Sequence, residues 1–186
     1  MEKNHTSDNE LIAAVKKGDK YAFKELVEKY EAQVAAAIIG MLGTCPEAEE
    51  IGQDTFIKFY YAIYNFRGES SVGTFLTRIA INLSLNELKR RKKKRERFND
   101  GIDLESISDV SKDTESYLNA KHIKNAILHL KPKLREVVVL RLVQGYTIKE
   151  TAEILNLPLG SVLSRLFRAQ RLVRTMLDKN RGGLYG

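Results

Sequence analysis

The chain has 186 residues, 43% of them hydrophobic and 30% charged, enough apolar surface for one larger or two small cores and unlike a disordered chain. Its formal net charge of +7 favours a polyanionic partner such as nucleic acid or an acidic membrane surface. A lone cysteine, Cys45, excludes an internal disulfide framework and a multi-cysteine zinc site, and fits a reducing compartment.

The polar opening Met1–His5 predicts no signal peptide. Ser7 and Glu10 have the spacing of a capping box and start a short helix that carries Leu11, Ile12 and Val15 and stops at Gly18. Asp19 caps a second helix with the apolar stripe Ala22, Phe23, Leu26, Tyr30, Val34, Ala37, Ile38 and Met41, ended by Gly43. The uncharged run inside it, Val34 to Leu42, has nine residues, about half of the ~20 that span a bilayer, so a soluble intracellular protein is expected. Pro46, Glu47, Glu49 and Glu50 suit the first turn of a third helix reaching about Asn65, with Ile51, Phe56, Phe59 and Ile63 available for burial. Phe66–Ser71 reads as a turn. A fourth helix begins near Val72, carries the stripe Phe75, Leu76, Ile79, Ala80 and Leu83, and ends in a basic run.

Residues 98–116 lack helical periodicity, are rich in Asp and Ser, and read as a flexible acidic linker. Beyond them one helix is expected over about 117–130 and a second from Pro132 to Val143, stopped by Gly145. Two more follow, the first opened by the Thr147–Glu150 capping box. The fold class is all-α, with two small helical domains, 8–97 and 117–178, joined by the linker 98–116. Charge follows the same division. Residues 1–88 hold nine basic and thirteen acidic side chains, residues 89–97 eight and one, residues 98–118 one and six, and residues 119–186 thirteen and four.

Thr147–Leu155, a left-handed turn at Asn156 and a longer helix restarting at Pro158–Ser161 follow helix-turn-helix logic. On the last helix Val162, Leu166, Ala169, Val173 and Met176 make the buried side, and Ser161, Ser164, Arg165, Arg168 and Arg171 are expected to face outward. From Pro158 to Thr175 there are four arginines and no acidic residue, whereas a merely solvated face mixes both signs. An all-positive face suits phosphates and groove edges. His5, His122 and His129 lack a metal-ligand spacing, and no carboxylate cluster, phosphate loop or nucleophile–base pair stands out, so neither enzyme activity nor a cofactor is expected.

Three ordered segments of the first half, Glu50–Phe56 (EIGQDTF), Phe66–Ser71 (FRGESS) and Phe75–Asn82 (FLTRIAIN), resemble region two of bacterial RNA polymerase sigma factors. Leu157–Ala169 (LPLGSVLSRLFRA) is similar to region four. With only these two regions, the chain resembles the extracytoplasmic-function group of the sigma-70 family over roughly residues 8–178.

That resemblance implies a promoter-recognition subunit working with core RNA polymerase. It implies that Glu50, Gln53, Asp54, Phe56 and Ile57 dock on the clamp helices of the largest (β′) subunit, and that region four meets the β flap. Phe66, Arg67, Gly68, Ser70, Phe75, Arg78 and Asn82 would read the −10 element and hold its opened strand, where a flipped base needs hydrogen-bond donors and stacking surfaces. Lys89, Arg90, Arg91, Lys92 and Lys93 would grip duplex phosphates beside it. Ser161, Leu163, Ser164, Arg165, Phe167, Arg168 and Arg171 would read the −35 element of promoter DNA. An anti-sigma factor, often membrane-bound in the family, would cover both domains of a cytoplasmic protein that does not itself insert in the membrane. Two positions depart from the family pattern: Phe75 stands where Trp is usual, and Leu163 where the residue is commonly basic. With Phe167, Leu163 would form an exposed apolar i,i+4 pair, able to meet a thymine methyl but not to bond guanine. The alternative is a free-standing helix-turn-helix regulator that binds a symmetric operator without polymerase, its first half serving dimerisation or sensing.

Overall fold

In the computed structural model, which describes residues 7–98 and 115–182, three helices begin where the side chains of Ser7, Asp19 and Thr147 satisfy open backbone donors. Two others begin at a proline, Pro46 or Pro132, that has no such donor to satisfy. Helix α1 (Asp8–Lys16) carries the capping box: the Ser7 hydroxyl accepts from the Glu10 N–H at 3.3 Å and Glu10 accepts from the Ser7 N–H at 2.8 Å. Asp19 caps α2 (Lys20–Leu42) by accepting from the Tyr21 and Ala22 amides. Pro46 opens α3 (Pro46–Ala62), which closes in a tight 3-10 turn at Ile63–Asn65, so the third helix ends in a narrower turn than its periodicity implies. Helix α4 spans Val72–Phe98.

Helices α2, α3 and α4 pack around Leu26, Ile38, Met41, Phe59, Ile63, Leu76 and Ile81, all fully buried, with α1 against α2. Among the buried hydroxyls, those of Thr55 and Ser84 donate to the carbonyls four residues back, Ile51 at 2.7 Å and Ala80 at 2.8 Å, and so enter the core paired. Residues 99–114, the greater part of the expected linker, lie outside the described residues.

The second half comprises α5 (Glu115–Leu128), α6 (Pro132–Val138), α7 (Ile148–Leu155) and α8 (Leu159–Gly182). The sequence predicts an unbroken helix to Val143. Instead, Val139–Val143 widens into a π-helical turn, in which the Gln144 N–H reaches the Val139 carbonyl at 2.9 Å and the Tyr146 N–H the Leu140 carbonyl at 3.0 Å. The run Val137–Leu140 is apolar on every side, so each residue needs a different core. Val137 packs with Ala152 and Val162, Val138 with Leu130 and Ala169, and Val139 and Leu140 join the core of the first half.

The two halves therefore share apolar surface. Gly40 of α2 makes room for Val139: a Cβ there would sit 2.9 Å from Val139 Cγ2. Beside this contact Gln33 Nε2 donates to the Tyr146 hydroxyl at 2.9 Å and to Thr77 Oγ1 at 3.2 Å, with Thr77 and Tyr146 3.0 Å apart. Arg135 is almost wholly buried and ties three helix ends together, donating to the carbonyls of Met41, Leu128 and Leu130. Those carbonyls lie at or just beyond helix C-termini, where backbone acceptors are left open and a cation is favoured. Burial, together with the nearby Arg91 charge, pushes the Arg135 guanidinium down to about 10.

Candidate nucleic-acid interface

The helical period of α3 divides the residues expected to meet polymerase. Glu50, Gln53, Asp54 and Ile57 are exposed and fall on one face, an acidic and apolar strip suited to a basic partner surface. Phe56 does not join them. It is half-buried against the core of the first half, because it lies on the inward side with Phe59.

The loop before α4 exposes Arg67 and Gly68, and Gly68 takes φ 74°, the left-handed conformation open to glycine. Lys16 pins the loop by donating to the Phe66 carbonyl at 3.1 Å. The Ser71 hydroxyl accepts from the Thr74 N–H at 3.1 Å and starts α4. Phe66 and Phe75 are not free stacking surfaces. Their rings meet edge to face, 5.3 Å between centroids, and both pack on the core as the wall of the loop. A polar cavity of about 390 Å³ opens there, lined by Asp8, Lys29, Phe66, Gly68, Ser70 and Ser71 among others.

Further along α4, Asn82 is exposed. Arg78 is not directed to solvent: its Nη2 donates to the Glu153 carbonyl at 3.2 Å, at the open C-terminal end of α7.

The basic run likewise separates into two groups. Lys89 and Lys93 are exposed, and Lys92 makes only a surface pair with Glu96 at 3.6 Å. Arg90 and Arg91 are turned back onto Glu87, which is buried: Arg90 binds it through two bonds of 2.6 and 3.0 Å, and Arg91 through one of 2.9 Å. Arg91 also reaches Glu47 and the Cys45 sulfur, each at 3.1 Å. Burial works against the Glu87 carboxylate, and the bonds and charges of Arg90 and Arg91 outweigh it, holding the group below the usual glutamate range. Arg91, expected to grip phosphate, thus braces α4 against the start of α3.

In the helix-turn-helix, Thr147 and Glu150 cap α7 reciprocally, and Asn156 makes the turn at φ 50°, ψ 55°. It is the one non-glycine residue with positive φ among the described residues. On α8, Val162 and Ala169 are buried, while Leu163, Ser164, Phe167, Arg168 and Arg171 are exposed and Ser161 is half-exposed. Arg165 departs from the expected outward face. Its Nη1 meets Glu136 Oε1 at 2.6 Å, and Glu136 is buried. Burial pushes the Glu136 carboxyl up, against the pull of Arg165 and Lys133, so Arg165 neutralises a buried acid and braces α8 on α6.

Sequence reasoning missed Gln33, Gly40, Arg135 and Tyr146, the residues that join the halves. A glycine in the middle of a helix was the one signal, since it costs about 1 kcal/mol relative to alanine and needs a packing reason. Among the described residues no group of three His, Cys, Asp or Glu side chains could hold a metal ion, and no helix is long and apolar enough to cross a membrane.

Residues 26–94 match the family model for Sigma-70 region 2, and residues 121–172 that for Sigma-70, region 4. The chain is 32% identical to the RNA polymerase sigma-H factor of Pseudomonas aeruginosa, across 92% of this chain and 94% of that protein. It is 34% identical to the ECF RNA polymerase sigma factor SigW of Bacillus subtilis, across 89% and 94%. The fold is shared with the sigma factor RpoE solved in complex with the anti-sigma factor NepR from Bartonella quintana, at a TM-score of 0.70 and 23% identity over 84% of this chain and 96% of that one. It is also shared with CnrH in complex with the cytosolic domain of CnrY, at a TM-score of 0.67 and 23% identity over 92% and 97%.

Proposed function

This chain belongs to the extracytoplasmic-function group of sigma-70 RNA polymerase sigma factors, and from that premise we propose how its residues divide the work of promoter-specific transcription initiation. The observation that carries the reading is the presence, in one chain and in order, of a region two with an acidic α3 face and a region four whose recognition helix has four arginines and no acidic residue up to Thr175.

Glu50, Gln53, Asp54 and Ile57 dock on the polymerase clamp, while region four meets the β flap. Arg67, Gly68 and Ser70 receive the −10 strand at the loop, with Phe66 lining the cavity there and Phe75 packed behind it, and Asn82 meets the strand further along α4. Lys89, Lys92 and Lys93 neutralise duplex phosphates, and Ser161, Leu163, Ser164, Phe167, Arg168 and Arg171 face the −35 element. Arg78 joins the −10 reader only after α7 leaves it. Elements about 25 base pairs apart lie about 85 Å apart on straight B-DNA, whereas a compact chain of this length has a radius of gyration of about 16 Å. The docked arrangement is accordingly the form that precedes promoter engagement, and the halves part when both elements are bound. The protein works in the cytoplasm without catalytic chemistry of its own, and an anti-sigma protein that covers both halves regulates it.

Run-off transcription with the purified full chain and core polymerase tests this. Promoter-dependent transcripts are expected, and their absence on every candidate promoter would overturn it. Nanomolar binding to a symmetric operator without polymerase would point instead to a free-standing regulator.

A further inference from the structure

Three large apolar side chains lie exposed in a row along α8: Leu159 (51% exposed), Leu163 (53%) and Phe167 (68%). Their spacing of four residues aligns them on one side of the helix over about 12 Å. The row continues into Arg171, and Ser164 and Arg168 run parallel to it, all exposed. No acidic residue occurs between Pro158 and Thr175.

These surroundings identify what covers the stripe. An apolar protein surface laid over it would leave the flanking arginines without partners. The major groove of a duplex supplies phosphates along its walls, and on its floor the apolar group it offers is the 5-methyl of thymine. Arg165 of the same helix is withheld from any guanine edge by Glu136 at 2.6 Å. We propose that Leu159, Leu163 and Phe167 read the −35 element through thymine methyl groups, with Arg168 and Arg171 on the phosphate walls. The element is then rich in A·T pairs, and its thymines are chosen by apolar contact. This rests on the assignment of α8 as the −35 reader.

The test uses the full chain with core polymerase and a pool of synthetic duplexes randomised over the upstream window. Selected duplexes are resynthesised with deoxyuridine at single thymine positions, which removes the methyl and leaves every hydrogen-bonding group in place. Thymine should be enriched at neighbouring positions, and each replacement should weaken retention about fourfold, as expected for one methyl-sized group returned to water. Leu163→Ala and Phe167→Ala change exposed residues and keep the fold. Each should bind thymidine and deoxyuridine duplexes alike at the position its own side chain reads, and should still discriminate at the positions read by the other two. Equal retention of the two duplexes by the unaltered chain would overturn the proposal. So would variants that lose core polymerase along with DNA, because the stripe would then be a protein-docking surface. If no upstream sequence is enriched at all, the −35 assignment itself fails and the methyl readout falls with it.

Discussion

Replacing Gly40 by alanine adds one methyl group at the seam between the two halves, with opposite effects on either side of it. Within α2 alanine is favoured over glycine by about 0.8–1.0 kcal/mol, so the first half taken alone becomes more stable. Across the seam the new Cβ would lie 2.9 Å from Val139 Cγ2 and 3.1 Å from Cγ1, inside ordinary contact distance. Val139 is fully buried and β-branched, so it has little freedom to rotate away, and the π-helical turn carrying it must retreat. Overpacking of this kind costs about 1–3 kcal/mol. The cost falls on docking, and raises the population of separated halves by about 5–150-fold. Amide hydrogen exchange resolves the two effects. The Gln144 and Tyr146 amides, bonded within the turn, should exchange faster, while the Phe59 amide in the first core should exchange no faster than before. X-ray scattering should show a radius of gyration above the compact value of about 16 Å. Unchanged exchange at Gln144 and Tyr146, with a net gain in stability, would show that the seam has slack and refute the reasoning.

Four other outcomes follow from the same structure. Tyr146→Phe removes the hydroxyl shared by Gln33 and Thr77 and should weaken docking by about 1–2 kcal/mol, read by the same exchange at Gln144. Arg165→Met should cost about 3–5 kcal/mol in urea unfolding because the buried Glu136 carboxylate loses its hydrogen-bonded cation and keeps only the Lys133 charge nearby, and the loss should shrink in acid as Glu136 protonates. Lys89→Ala and Lys93→Ala should each lower the salt slope of promoter binding by about 0.9 for every phosphate left without its cation, whereas Arg91→Ala should lower stability and leave that slope nearly unchanged. Glu87 is held below its ordinary value near 4.5, so its contribution is fully present above that pH and is lost as pH falls through the lowered value. Unfolding followed from about pH 7 to about pH 3 should show that loss, and Glu87→Gln should flatten it.

How far the site could be read in advance depended on how far away each partner lay. The starts of α1, α2 and α7 were legible because Ser7 with Glu10, Asp19, and Thr147 with Glu150 act on amides two or three residues away. The exposed Leu163–Phe167 pair was legible for the same reason, since one helical turn determines which side chains share a face. The arginines were not. Arg78 and Arg165 look alike in sequence to Arg67, Arg168 and Arg171, with no acid or other partner nearby to show that they brace the fold; Arg91 alone had a local sign, Glu87 four residues before it.

Amino-acid order alone determined the helices, the helix-turn-helix and the uneven spread of charge, because periodicity, capping and charge runs act over a few residues. Tertiary structure alone decided which charges remain available: Arg165 meets an acid 29 residues away, Arg91 one 44 residues away, and Arg78 a carbonyl 75 residues away. It also brought Val139 against Gly40 and Tyr146 against Gln33. Contacts of that range depend on how helices cross, and two helices that cross leave no record of it in the residues beside each partner.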